Sequence, residues 1–145
     1  MQNTLVKDIM TADLKLISED ASLEEAAAKM QKIDSGVLPV GEEGNIKGII
    51  TDRDIIIRAI ANGTNPSQAR VSDYMTTKIY SCKDTDTLND AADQMRKNHV
   101  SRLIVKDKQG NVAGILSFGC ILRKNANTNE IAEVVAHATG KKLAS

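Results

Sequence analysis

Apolar residues recur at Leu23, Ala26, Ala27, Met30 and Ile33, the three-and-four spacing of a single helical face. Ser22 precedes that run and Glu25 follows three residues later, the arrangement in which a serine side chain and a glutamate cap a helix start. Upstream, Leu14 to Ile17 reads as a short extended run. Downstream, Gly36-Val37-Leu38-Pro39-Val40 is a brief apolar strand, Glu42-Glu43-Gly44-Asn45 a hairpin turn, and Ile46 to Ile50 the return strand. Thr51 then predicts the cap of a second helix, Arg53 to Asn62, closed by Gly63. The same order comes again. A strand is expected near Ile79 to Cys82, a helix from Thr87 to Asn98, a strand from Arg102 to Val105, a turn at Asp107 to Asn111, a strand from Val112 to Leu116 and a helix from Gly119. The pattern is β-α-β-β-α, twice.

The chain is an internal repeat. Val6-Lys7-Asp8-Ile9-Met10-Thr11 returns as Val71-Ser72-Asp73-Tyr74-Met75-Thr76, and residues 6–40 share 11 identities with residues 71–105. A one-residue insertion in the turn shifts the register, after which Gly44-Asn45 meets Gly110-Asn111 and Gly48-Ile49 meets Gly114-Ile115. The expected organisation is a first repeat over 1–63, a polar linker over 64–70, a second repeat over 71–124 and a tail over 125–145. One repeat alone buries too little surface to be comfortable, so the two are expected to pack together with pseudo-two-fold symmetry as an α+β fold. Such packing leaves two equivalent clefts, one per repeat.

Composition narrows the function. Lys plus Arg is 19 and Asp plus Glu is 19, so no net charge pulls the chain toward nucleic acid or an anionic membrane. With no Trp, one Phe and two Tyr, base-stacking platforms lack raw material. No apolar run reaches the ~20 residues of a membrane span, and Met1 to Leu5 does not read as a signal peptide. Cys82 and Cys120 make no disulfide framework and suit a reducing cytoplasm. The two Cys with His99 and His137 lack metal-ligand spacing, so no metal site is expected. There is no nucleophile elbow and no phosphate-binding glycine loop of the Walker type, and Asp52 and Asp54 diverge rather than share a proton. No catalytic residues are assigned and the chain reads as a non-enzyme.

The repeated Met-Thr openings (Met10-Thr11, Met75-Thr76), Leu38-Pro39-Val40 and the run Gly48-Ile49-Ile50-Thr51-Asp52-Arg53-Asp54 together resemble a pair of CBS domains, the tandem unit also called a Bateman module. The resemblance covers about residues 6 to 124 and is greatest to small stand-alone bacterial and archaeal pairs. A similar pair is inserted in IMP dehydrogenases, whose catalytic barrel nothing here could supply. The resemblance implies a regulatory sensor that binds an adenosine-containing ligand: AMP, ADP, ATP or S-adenosylmethionine. It implies that Lys15, Leu16, Ile17, Val37, Leu38 and Pro39 lie against the adenine. Asp54 can accept both ribose hydroxyls in charge-assisted bonds, while Thr51, the free N–H groups of the same helix end and Arg53 suit a phosphate. In the second repeat Cys120 replaces the ribose aspartate, and a thiol is a poor acceptor for two hydroxyls. Ile104 replaces Pro39. Ser81, Ile104, Ser117 and Cys120 therefore read as a degenerate second site. His99 and Arg102, in place of Asp34 and Val37, are basic residues of a kind that faces phosphate in the family, and would complete a composite site with Thr51 and Asp54. The few cations favour a monophosphate, AMP, over a triphosphate. No cofactor is required.

Each feature has a plainer alternative. Thr51 and Asp54 serve equally as a helix cap, Arg53 and Arg58 as solvated helix residues, Arg102 and His99 as surface groups, and Cys120 as a small residue left where the acid was lost. Met30 and Met95 read as packing, and His137 as a surface or tail residue. In the tail, Ile131, Val134, Val135 and Ala138 mark an apolar stripe on a helix ending at Gly140, followed by Lys141-Lys142. It packs on its own body or a dimer mate, or docks an effector protein. The family resemblance implies a homodimer. The rival to a ligand sensor is a homodimeric protein-interaction scaffold without a functional ligand.

Overall fold

The computed structural model describes residues 4–125 and 127–140. Met1 to Asn3, part of the signal-peptide reading, and Lys141-Lys142, the basic end of the tail, lie outside the described residues. The element order is α1 (Val6–Ile9), α2 (Leu23–Ile33), β1 (Val37–Glu42), β2 (Asn45–Thr51), a π-wound turn (Asp54–Ala59) running into a 3-10 turn (Ile60–Asn62), α3 (Val71–Tyr74), β3 (Ser81–Lys83), α4 (Leu88–Asn98), β4 (Arg102–Lys106), β5 (Val112–Ser117), α5 (Phe118–Lys124) and α6 (Thr128–Thr139). The repeated α+β pattern is present.

The compact units do not follow the repeat boundaries. One unit is Leu14–Ile79; the other joins the chain's opening, through Asp13, to everything from Tyr80 onward. The reason lies in backbone pairing. Leu5 bridges Thr87 and Thr11 bridges Ile115, while Arg70 bridges Ser22 and Thr76 bridges Ile49. Each repeat's opening segment, α1 or α3 with its Met-Thr, is thus built into the body of the other repeat. The α1 and α3 turns themselves carry too few residues for a helical period, so the sequence pattern does not mark them as helices.

In the Leu14–Ile79 unit, β1 and β2 form an antiparallel hairpin with Val37 opposite Thr51 and Leu38 opposite Ile50. The two-residue loop Glu43-Gly44 needs a left-handed residue, and Gly44 supplies it at φ 82. The extended run over 14–17 makes only one bridge, a parallel one from Ile17 to Val40. The matching pair in the second repeat, Cys82 with Val105, belongs to a full strand, β3, parallel to β4. Helix α2 starts where Ser22 accepts a bond from the Glu25 N–H and ends at Asp34 in the left-handed region. Leu23, Ala26 and Met30 enter a core with Leu38, Val40 and Ile50. Ala27, read as part of that face, is exposed.

In the second unit, α4 repeats α2: Thr87 accepts from the Asp90 N–H, and His99 closes the helix in the left-handed region. Here the residue matching Ala27, Ala92, is fully buried. The difference is α6, which packs against α4 and buries Val134. The apolar stripe of the tail therefore covers its own body. His137, expected at the surface, is there, and lies 2.7 Å from the half-exposed Asp93 of α4. Glu130 of α6 is buried and accepts bonds from the Thr4 N–H at 3.0 Å, the Thr4 hydroxyl at 2.6 Å and Asn125 at 2.7 Å.

Candidate functional site

The first-repeat residues singled out in the sequence meet at the junction of β2 and the helical segment after it. Thr51 is buried and donates its N–H to Asp54 Oδ2 at 3.0 Å; the Asp54 N–H returns a bond to the Thr51 hydroxyl at 3.1 Å. This reciprocal pair is a capping box, which satisfies two donors that a helix start leaves orphaned. The neighbouring donors are engaged as well. The Asp52 N–H reaches the Gly36 carbonyl at 2.9 Å, and the Arg53 N–H reaches Asp52 Oδ1 at 2.8 Å. The helix end expected to offer free N–H groups to a phosphate has its four leading donors occupied from within the chain. Any anion there has to displace the Asp52 carboxylate from Arg53.

Asp54 is held rather than mobile, its side chain only 13% exposed. Its second oxygen faces Arg58 at 3.8 Å, and Arg58 Nη1 also donates to the Tyr74 carbonyl at 2.7 Å. Arg58 is therefore neither a plain solvated residue nor a ligand group by itself; it bridges the aspartate to the segment that opens the second repeat. An acid followed four residues later by an arginine was the legible sign of that pair. Arg53 and Lys15 are exposed.

The residues expected against adenine divide by burial. Ile17 and Leu38 are core side chains. The backbone of Ile17 is used on both sides, its N–H on the Pro39 carbonyl and its carbonyl on the Gly41 N–H. The Leu16 carbonyl takes the Lys29 ammonium. Both backbone groups of Val37 bond the Ser35 hydroxyl. The side chains of Ile17 and Leu38 are buried in this core, and Pro39 is buried with them.

The second repeat is built on different chemistry. Ser117 sits where Thr51 sits and accepts from the Cys120 N–H at 3.0 Å. Cys120 turns inward, donating to the Ile9 carbonyl at 3.2 Å with the Thr11 hydroxyl at 3.9 Å. It belongs to the core, as does Ile104. The cysteine thus fills the place in this unit that Arg58 fills in the other, on the carbonyl of the residue before the methionine. Ser81 pairs with Ile104 in the β3–β4 ladder. Arg102 lies directly across the β4–β5 ladder from Ser117, and its Nε is buried without a hydrogen-bond partner among the described residues. His99 is exposed at the helix end, with φ 55. Arg102 and His99 belong to a different compact unit from Thr51 and Asp54. Burial pushes the Cys82 thiol up to about 12, helped by the nearby Asp86 charge, which makes it inert as a nucleophile at neutral pH.

An open hollow of about 460 Å³ lies elsewhere in the Leu14–Ile79 unit, lined by Thr64, Asn65, Gln68, Ala69, Asp73 and Tyr74. None of the candidate ligand-binding residues lines it, although Asp73 and Tyr74 belong to the repeated opening motif. Among the described residues, no group of three or more His, Cys, Asp or Glu could hold a metal ion, and no helix is long and apolar enough to cross a membrane.

The CBS domain family model matches the chain twice, at residues 6–60 and 71–127. The chain belongs to the CBS-domain family. It is 38% identical over 127 residues to the CBS domain-containing protein YhcV of Bacillus subtilis, covering 88% of this chain and 89% of that one. Among solved structures it resembles Hypoxic Response Protein I, solved with two coordinated zinc ions, at 29% identity and a TM-score of 0.69, covering 84% of this chain and 99% of that one. A conserved CBS domain protein of Thermoplasma acidophilum shares the fold at 23% identity and a TM-score of 0.77, over 94% of this chain and 76% of that one. The two matched spans identify the chain as a CBS pair, a regulatory module. The zinc belongs to the relative.

Proposed function

We propose that this CBS pair is a sensor for an adenosine-containing ligand, and that the first repeat carries the binding site. The observation that supports this most is the contrast between equivalent positions. Asp54 is a carboxylate fixed at the head of a helical segment by Thr51, with the oxygen facing Arg58 held by a contact of 3.8 Å. Cys120 is a thiol turned into the core. A fixed carboxylate suits a vicinal diol, which offers two hydroxyl donors to its oxygens; the thiol offers nothing comparable. Exposed Arg53, next to Asp54 in the same unit, is the cation for a phosphate, and so little positive charge suits AMP better than a triphosphate.

Thermal unfolding of wild type and Asp54→Ala with AMP, ADP, ATP and S-adenosylmethionine tests this. A ligand at 100 times its dissociation constant stabilises by about 2.7 kcal/mol, a rise of about 8 °C for a chain of this length. The expected result is such a rise in wild type that disappears in Asp54→Ala. A rise that survives the substitution rejects Asp54 as the ribose acceptor.

A second reading is a homodimeric interaction scaffold with no functional ligand. The satisfied donors of Thr51, Asp52, Arg53 and Asp54 favour it, since the helix start is complete without any guest. It predicts no rise with any of these ligands in protein that melts cooperatively. Both readings share the homodimer that the family resemblance implies. In both, α6 stays packed on its own body.

A further inference from the structure

The polar stretch over 64–70 is pinned by the chain around it rather than left as a loose joint. At the start of α2 the Leu23 N–H reaches the Ala69 carbonyl and the Glu24 N–H the Pro66 carbonyl, each at 3.0 Å. Asn65 Oδ1 accepts from the Ser67 N–H at 3.0 Å and from the Ser67 hydroxyl at 2.8 Å. The Asn65 carbonyl accepts from the N–H groups of Gln68 and Ala69, both at 3.1 Å. The Thr64 hydroxyl pairs with the Tyr74 hydroxyl at 2.9 Å. These bonds fix the walls of the hollow of about 460 Å³, a size suited to a small molecule. Walls set before a guest arrives lower the ordering cost of binding it.

The chemistry of the lining is one-sided. Of its six residues only Asp73 carries a charge, and none is Lys, Arg or His. The Asp73 carboxylate is exposed and makes no hydrogen bond or ion pair among the described residues. The repeat shows that such an acid has a structural use available. Asp8, at the matching position of the first opening motif, turns its Oδ2 back to the Leu5 N–H at 3.4 Å. Asp73 makes no equivalent bond and lines the hollow instead. The nearby arginines are engaged away from it: Arg70 faces Asp20 at 3.8 Å, and Arg58 donates to the Tyr74 carbonyl at 2.7 Å. A phosphate or carboxylate finds no counter-charge in this lining, whereas a cation finds the Asp73 carboxylate, and an aromatic wall residue, Tyr74, whose ring face attracts positive charge.

We propose that this hollow is a binding site for a small aliphatic ammonium, with its NH₃⁺ group on the Asp73 carboxylate and its carbon chain against Tyr74. The three donors of an ammonium suit a lining whose other polar side chains are the amides of Asn65 and Gln68 and the hydroxyls of Thr64 and Tyr74. The site is separate from Asp54 and does not depend on the adenosine reading.

Putrescine is the probe, titrated into the full chain and followed by the amide resonances of residues 64–74. Butane-1,4-diol, of the same chain length and uncharged, and magnesium chloride at matched charge are titrated in parallel. The expected result is saturable movement at Gln68, Asp73 and Tyr74 with putrescine and none with the diol or magnesium. Asp73→Asn keeps the size of the side chain and removes its charge. It is expected to weaken putrescine about five-fold, the upper range for an exposed ion pair. If Asp73→Asn melts below wild type, Gln68→Ala, at an exposed position, is read in its place and is also expected to weaken binding. No saturable movement with putrescine, the same movement with the diol or with magnesium, or unchanged putrescine affinity in the variant that is read overturns the proposal.

Discussion

At matching positions the two repeats carry different groups, a capped carboxylate at Asp54 and a core thiol at Cys120. Asp54 and Thr51 cap one another, which is the plainer of the two uses expected of them; a ligand contact at Asp54 would use the same fixed carboxylate. The pair is legible in the sequence because threonine followed three residues later by an acid is a helix-start signature. That the neighbouring N–H groups are filled from within is not legible, since the partners, the Gly36 carbonyl and the Asp52 side chain, are set by tertiary approach and rotamer. Glu130 is the clearest residue the sequence conceals. Two of the bonds to this acid, on the apolar side of a tail helix, come from Thr4, 126 positions away, and one from Asn125 nearby. Burial alone would raise its carboxyl, but the bonds from Thr4 and Asn125 outweigh that and hold it below the usual carboxylate range. A lowered folded-state value contributes stability that is present above the unfolded value near 4.3 and is lost as pH falls through the folded one. Glu130→Gln is therefore expected to be less stable than wild type at pH 7, with the gap narrowing below about pH 4.5. Urea midpoints across that range read this directly, and a gap that stays constant to pH 3 contradicts it.

At the scale of elements, the β-α-β-β-α order is legible because α2, α4 and the two hairpins are long enough to show their period. The exchange of opening segments is not, because pairing between Thr11 and Ile115, or Thr76 and Ile49, leaves no mark in local spacing. One trace of it exists once the geometry is known: Gly48 and Gly114 repeat in both units. A Cβ on Gly48 would lie 2.6 Å from the Thr76 carbonyl oxygen, and one on Gly114 would lie 2.6 Å from that of Thr11. Both glycines let the crossing segment approach the hairpin. Gly114→Ala forces the Thr11 bridge apart against backbone, at a cost of about 1–3 kcal/mol, and should speed hydrogen exchange at the Thr11 and Ile115 amides, which pair at 2.9 and 3.0 Å. Unchanged exchange there would show that the opening segment does not depend on this approach. The α6 helix explains the asymmetry between Ala27 and Ala92: identical residues at matching positions differ in burial because only one has a tail helix over it.

For the whole molecule, the repeat predicts two equivalent sites and the side chains break that equivalence. The first repeat keeps a capped carboxylate; the second has a cysteine in its core and an arginine across from Ser117. If Asp54 is the ribose acceptor, one adenosine-type ligand binds per chain, not two. Isothermal titration calorimetry of AMP into wild type and Asp54→Ala measures both stoichiometry and dependence on the carboxylate. The prediction is one AMP bound per wild-type chain and no detectable binding to a folded Asp54→Ala. Two equivalents per chain, or one that persists with unchanged affinity in Asp54→Ala, would contradict it.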